Sequence, residues 1–228
     1  MTEFAKVRGI IFDLDGTLID SYEAIAESLN HARRAAGMDP LGLDQVRAMV
    51  GMGLEVLIAR AMGERYVDQG VRDFRAHYDR ICVAKTRLLP QVAETLRDLH
   101  GRGYRMSVAT NKPSYFATRL LEGLGVDGYI SAVLGPDVVV NRKPHPEMFL
   151  RAMEAMGVAP EETVAVGDME IDIETARAAG VRVIVLPTGS RSAQALVEAR
   201  PDILIREFRE LLNVLPAASS VDRPGRRG

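Results

Sequence analysis

Ile10-Ile11-Phe12-Asp13-Leu14-Asp15-Gly16-Thr17 is the stretch around which the chain is organised. The apolar run that begins at Val7 reads as a strand buried on both faces. Two carboxylates, one residue apart, follow at its C-terminal end, and Gly16-Thr17 then breaks the strand. With a period of two, Asp13 and Asp15 leave the strand on the same side. Like charges that close repel strongly unless a cation sits between them or one takes up a proton. The spacing therefore suggests a hard cation such as Mg²⁺, which prefers oxygen ligands. Asp and Gly also punctuate ordinary strand exits, so this pair alone leaves a purely structural reading open.

Beyond Thr17 the pattern turns helical. Ser21 is placed to cap a helix whose apolar positions include Tyr22, Ile25, Ala26, Leu29 and Ala32, ending near Gly37. Further helices are expected over 43–50, 54–62 and 67–81, interrupted at Gly51-Met52-Gly53 and Gly63, with no strand in the stretch. From Pro90 the rhythm becomes alternating helix and strand. Strands are expected at Arg105–Ala109, Tyr129–Leu134, Thr163–Val166, Arg182–Leu186 and Ile203–Ile205. Helices are expected over about 91–101, 114–124, 146–156, 170–179 and 190–199, with a last one reaching about 214. That alternation predicts an α/β fold, a Rossmann-like parallel sheet with crossover helices.

The gap between the first two strands is anomalous. About 90 residues separate Leu14 from Arg105, where a parallel crossover needs about a dozen. The helix over 91–101 suffices for the crossover. Residues 18–85 are therefore read as a small all-α cap, inserted into a core made of 1–17 and 86–215. Residues 216–228 hold Pro, Ser, Gly and Arg without periodicity and read as a disordered tail.

The 228 residues are enough to bury a substantial core, and 47% hydrophobic and 26% charged residues are ordinary globular values. A net charge of −2 offers no field for nucleic acid or an anionic membrane. No signal peptide or membrane span is visible. Cys82 is the single cysteine, so no intramolecular disulfide forms and a reducing, cytoplasmic setting is expected. It reads as a packed thiol rather than a nucleophile. The four histidines are scattered without metal-ligand spacing. No nucleotide-binding glycine loop occurs.

Three more polar features fall where strands end, which is where open parallel sheets bind ligands. One is Thr110-Asn111-Lys112, another Arg142-Lys143-Pro144-His145-Pro146, and the third Gly167-Asp168-Met169-Glu170-Ile171-Asp172. Each alone also reads as an ordinary cap or surface turn. Together they set a hydroxyl, an ammonium and a second acidic cluster around the sheet edge that carries Asp13.

The set resembles the haloacid dehalogenase superfamily, on its branch of phosphatases with a helical cap after the first motif. Asp13-x-Asp15-Gly16-Thr17 matches the first motif, Thr110 the second, Lys143 the third and Gly167-Asp168-x-x-x-Asp172 the fourth. The flanks Leu18-Ile19-Asp20-Ser21 and Lys143-Pro144-x-Pro146 are similar to the phosphoglycolate phosphatase group. The resemblance implies that Asp13 attacks phosphorus and that Asp15 protonates the leaving alcohol. It implies Mg²⁺ held by Asp13, the Asp15 backbone carbonyl and Asp168, with Asp172 as a further ligand or support. Thr110, the Asn111 backbone N–H and Lys143 would hold phosphoryl oxygens. The implied partner is a small phosphorylated metabolite, 2-phosphoglycolate first, acted on by a monomer or weak homodimer.

A haloalkanoate dehalogenase of the superfamily lacks an Asp equivalent to Asp15. Sugar phosphomutases tend to carry Glu before the fourth-motif Asp, where this chain has Gly167, although a sugar phosphate remains the second substrate choice. A phospho-receiver domain places its acceptor Asp on a later strand, and an inactive binding protein would not need every motif residue. In the cap, Arg47-x-x-x-Gly51-x-Gly53 resembles the phosphoglycolate phosphatase group. Arg47 is read as a carboxylate partner or equally as a solvated helix charge, and Gly51 and Gly53 as a close backbone approach to ligand.

Overall fold

The computed structural model describes residues 4–216. The buried run Gly9–Phe12 forms β1. After it come β2 (Ile19–Asp20), α1 (Tyr22–Ala35), α2 (Leu43–Arg47), α3 (Leu54–Met62), α4 (Val67–Ile81) and β3 (Arg87–Leu88). Then helix and strand alternate: α5 (Val92–Gly101), β4 (Arg105–Ala109), α6 (Ser114–Gly123), β5 (Ala132–Leu134), α7 (Glu147–Met156) and β6 (Thr163–Gly167). The series closes with α8 (Glu170–Ala178), β7 (Arg182–Val185), α9 (Ala193–Glu198), β8 (Ile203–Leu204) and α10 (Leu211–Val214).

The six-stranded sheet has the order β5-β4-β1-β6-β7-β8, and every pairing in it is parallel. β1 lies inside, paired with β4 through Phe12↔Val108 and with β6 through Phe12↔Val166. Strand order reverses on either side of β1, so its C-terminal end opens at the switch point where such sheets form a crevice. Alternation divides the strand between two apolar clusters. Ile10 and Phe12 pack with Leu96, Leu120 and Leu211, from α5, α6 and α10. Ile11 packs with Phe149, Ile173 and Leu196, from α7, α8 and α9. Burying each such large side chain contributes about 1.5–3 kcal/mol.

The first apolar cluster runs on into the helical cap through Leu29, Val46, Ile58 and Phe74. Contrary to expectation, strand pairing does occur beside the insertion. β2 and β3 pair antiparallel, Ile19 with Leu88, where the chain leaves the sheet and where it returns. Two residues per strand are too few to show alternation in a sequence. The strand expected from Tyr129 begins only at Ala132, because Asp127–Tyr129 coils into a 3₁₀ turn. The helix expected over 43–50 stops at Arg47, ahead of the Gly51 turn, where φ is +124°. Cys82 is buried, and burial pushes its thiol pKa up. The expected tail lies, from 217 onward, outside the described residues. Among the described residues no helix is long and apolar enough to cross a membrane.

Candidate active site

The backbone N–H of Asp13 bonds to Val166 O at 2.9 Å, which carries the sheet ladder one residue past β1. The Asp13 carboxylate is thereby held at the sheet edge, against a group from far along the chain. Lys143 Nζ lies 2.7 Å from Asp13 Oδ1 and 2.7 Å from Asp172 Oδ1. All three side chains are nearly withdrawn from water. Charged hydrogen bonds in such a setting are strong, and each carboxylate restrains the ammonium for the other.

Asp172 also caps the first turn of α8. Its Oδ2 accepts the Asp168 and Met169 backbone N–H groups at 3.2 and 3.1 Å. The capping duty open to Asp168 thus falls to Asp172, and the Asp168 carboxylate is left for other work. Its Oδ1 accepts the Thr17 hydroxyl at 2.8 Å. Its Oδ2 is buried with no hydrogen-bond partner. A buried, unpaired carboxylate oxygen is costly and calls for a cation.

Asp13, Asp168 and Asp172 each offer an oxygen, and the three lie within 4.8 Å of one another. Two glycines clear the approach to the orphan oxygen. A Cβ on Gly189 would overlap Asp168 Oδ2, and one on Gly16, whose φ is +89°, would fall 2.6 Å from it. An all-oxygen set with an open, buried anionic atom fits a hard divalent cation.

Burial pushes the Asp13 pKa up, to about 6; Lys143 pulls it down, while Asp172 and Asp15 push it further up. Burial, and then Asp13 and Asp172, raise Asp168 well above the carboxylate range. Burial opposes the Lys143 charge, but Asp13 and Asp172 outweigh it and hold the ammonium above its usual value. The three acids repel one another with a single lysine between them.

Asp15 faces a different set. It accepts the Ser21 hydroxyl, and Lys112 Nζ lies 2.9 Å from its Oδ2. Ser21 occupies the expected cap position before α1 but makes no side-chain capping bond, because its hydroxyl is spent on Asp15. Asp13, Asp15, Thr110, Asn111, Lys112 and Lys143 line one cavity of about 70 Å³. Thr110 Oγ accepts the Lys112 N–H at 3.2 Å. The Asn111 side chain joins core to cap: its Nδ2 donates to Gly51 O at 3.1 Å and to Lys143 O at 3.3 Å, and its Oδ1 accepts the Lys143 N–H at 3.1 Å.

On the cap side, Gly51 and Gly53 line the cavity. What fills the space beside them is protein: the Met169 thioether lies against Gly51, and Arg142 Nη1 falls 3.0 Å from a Cβ on Gly53. Arg47 is not brought into the lining. Its guanidinium stacks 4.6 Å from the Tyr22 ring centroid and donates to Thr188 O at 3.1 Å. The residue-level reading missed Thr17, Gly189, Tyr78 and a role for Lys112. Of these, Thr17 and Lys112 had a signal, Thr17 as the last residue of the first motif and Lys112 in its place beside the motif residues at the end of β4.

A family model described as haloacid dehalogenase-like hydrolase matches residues 10–186. The chain belongs to this family of hydrolases. It is 34% identical to the phosphoglycolate phosphatase of Escherichia coli (strain K12) over 239 residues, covering 94% of this chain and 95% of that protein. A crystal structure of a predicted phosphoglycolate phosphatase from Haemophilus somnus 129PT superposes with a TM-score of 0.87 at 30% identity, over 92% of this chain and 99% of that one. The fold also matches CbbY from Rhodobacter sphaeroides, solved in complex with phosphate, with a TM-score of 0.79 at 24% identity, over 92% and 99% of the two chains.

Proposed function

We propose that this hydrolase is a Mg²⁺-dependent phosphoric monoester hydrolase acting on a small phosphorylated acid, 2-phosphoglycolate first, through an aspartyl-phosphate on Asp13. The observation that carries the reading is the buried cluster in which Lys143 bridges Asp13 and Asp172 beside the unpaired oxygen of Asp168. The similarity to phosphoglycolate phosphatases favours phosphoglycolate over a sugar phosphate.

Asp13 attacks phosphorus, so that a bond forms from its carboxylate oxygen as the ester P–O bond breaks. The departing oxygen takes a proton from the Asp15 carboxyl. Asp15 then removes a proton from the water that attacks phosphorus and returns Asp13 as a free carboxylate. The Thr110 hydroxyl, the Asn111 backbone N–H and the Lys143 ammonium hold the oxygens around phosphorus, while Lys143 also fixes the Asp13 carboxylate. Asp13, the Asp15 carbonyl and Asp168 would hold Mg²⁺, which when bound offsets charge on the phosphoryl group. Both Asp172 oxygens are taken, by Lys143 and by the start of α8, so Asp172 positions the lysine and the loop that carries Asp168.

In this reading 1–17 and 86–215 are the catalytic core, 18–85 is the substrate-selecting cap, and the protein works as a monomer or weak homodimer in the cytoplasm. The test is phosphate release from a panel of phosphoglycolate, alkyl phosphates and hexose phosphates, with Mg²⁺ and in excess chelator. We expect phosphoglycolate to give the highest kcat/KM and chelator to abolish turnover. Release from no ester would overturn the phosphatase reading in favour of a binding protein, and full activity in chelator would remove the metal.

A further inference from the structure

One polar pair in the cavity is left over once the phosphoryl chemistry is assigned. Lys112 follows β4, and its side chain is 8% exposed with Nζ 2.9 Å from Asp15 Oδ2. The same ammonium lies 5.0 Å from the centroid of the Tyr78 ring. Tyr78 comes from α4 in the cap, is 1% exposed and lines the same cavity. Its hydroxyl has no polar neighbour to accept its proton, and the group that acts on it is the Lys112 ammonium. Burial pushes that hydroxyl up to about 12, against the pull of Lys112, so it remains a donor.

The surrounding wall is apolar, built from Ile25, Leu54, Leu57, Phe74 and Phe116. An ammonium carries three donors, and Asp15 is the one carboxylate within ion-pair distance of Lys112 among the described residues. An ammonium with one donor left after Asp15 and Tyr78, next to a phenol whose own O–H has no acceptor, suits an anion with two acceptor oxygens. Among the described residues lining the cavity the cations are Lys112 and Lys143. Lys143 is held between Asp13 and Asp172, so Lys112 is the one on the leaving-group side.

We propose that Lys112 and Tyr78 form the subsite that receives the carboxylate of the substrate. The inference rests on the small-acid reading above and names the residues that select it. Asp15 faces the leaving oxygen in that reading. In phosphoglycolate a single methylene separates this oxygen from the carboxylate, which brings the carboxylate beside the partner of Asp15. The pair joins the two parts of the fold, Lys112 from the core and Tyr78 from the cap, so it is complete only when the cap rests on the core.

The test compares kcat/KM for phosphoglycolate and for ethyl phosphate, which lacks the carboxylate, in wild type, Lys112→Met and Tyr78→Phe. Lys112→Met also strips Asp15 of its partner, so both substrates suffer; the ratio between them is the readout. We expect the phosphoglycolate-to-ethyl-phosphate ratio to fall by roughly tenfold or more in Lys112→Met and by about threefold or more in Tyr78→Phe, the scale expected when a buried polar contact to substrate is lost. Tyr78→Phe keeps the ring and its packing, so it decides the matter if Lys112→Met fails to fold. A ratio unchanged in both folded variants, or in Tyr78→Phe alone where the lysine variant does not fold, overturns the subsite while the small-acid reading stands. A wild type with no preference for phosphoglycolate overturns the small-acid reading, and the subsite with it.

Discussion

On the core side of the cavity, charge meets charge. Lys143 stands 2.7 Å from both Asp13 and Asp172, and Asp168 keeps one oxygen unpaired. On the cap side, polar groups meet backbone. Arg47 donates to Thr188 O at 3.1 Å, and Gly51 O receives Asn111 at 3.1 Å. The core pattern leaves one cluster with acids in excess of its lysine, which suits a metal and a phosphoryl group whatever ester carries them. The cap pattern spends its hydrogen bonds on resting against the core and leaves few groups to face a ligand. The two sides are thus built from different materials, and substitutions on them should fail in different ways.

The largest effect is expected at Asp13. Asp13→Asn keeps the shape but removes the proposed nucleophile, and phosphate release should fall by roughly 10⁴-fold or more on every ester, as when other covalent nucleophiles are removed. Thermal unfolding would show that the variant remains folded. Near-normal turnover would break the comparison outright, since the core would then not carry the chemistry.

Asp168→Asn comes next and tests the acid excess itself. Burial, Asp13 and Asp172 all disfavour the ionised carboxylate there, so the neutral amide should raise the Tm of the metal-free protein. Added Mg²⁺ should raise the wild-type Tm by mass action and leave the variant nearly unmoved. The Mg²⁺ needed for half-maximal activity should rise by about 10–100-fold or more. An equal Mg²⁺ shift in both proteins would show that Asp168 only supports the loop.

Much of this arrangement is legible in the sequence, for identifiable reasons. The core side follows from strand ends: Asp13, Thr110 and Asp168 each sit directly after a buried run, and a parallel sheet places such ends along one edge. The insertion follows from the length of the gap after Leu14. The two-residue strands Ile19–Asp20 and Arg87–Leu88 leave no periodic trace. What Ser21 does is also hidden, because its position predicts a cap while Asp15, a better partner for a buried hydroxyl, lies within reach only in three dimensions. Gly189 reads as an ordinary loop glycine until Asp168 Oδ2 is seen against it. Tyr78 reads as one residue of a helix, since nothing local shows that it ends beside Lys112.

The smallest effect, and the sharpest on the cap side, is expected at Arg47. Its guanidinium lies over Tyr22 and reaches Thr188 O. The Thr188 hydroxyl in turn donates to Gly16 O at 2.6 Å, directly after Asp15. Arg47 therefore fastens the cap to the loop that meets Gly16, without lining the cavity. Arg47→Ala removes one cation–π contact and one hydrogen bond from a half-buried side chain, worth about 1–2 kcal/mol together. Converted to a rate, that is a loss of roughly five- to thirtyfold in kcat/KM. Because the contact holds cap against core and touches no ligand, the loss should fall equally on phosphoglycolate and ethyl phosphate and leave their ratio unchanged. A tenfold selective loss of phosphoglycolate would instead mean that the guanidinium leaves Thr188 to meet the substrate. Carboxylate recognition would then belong to the cap arginine, and the division of labour between the two sides would have to be redrawn around a moving Arg47.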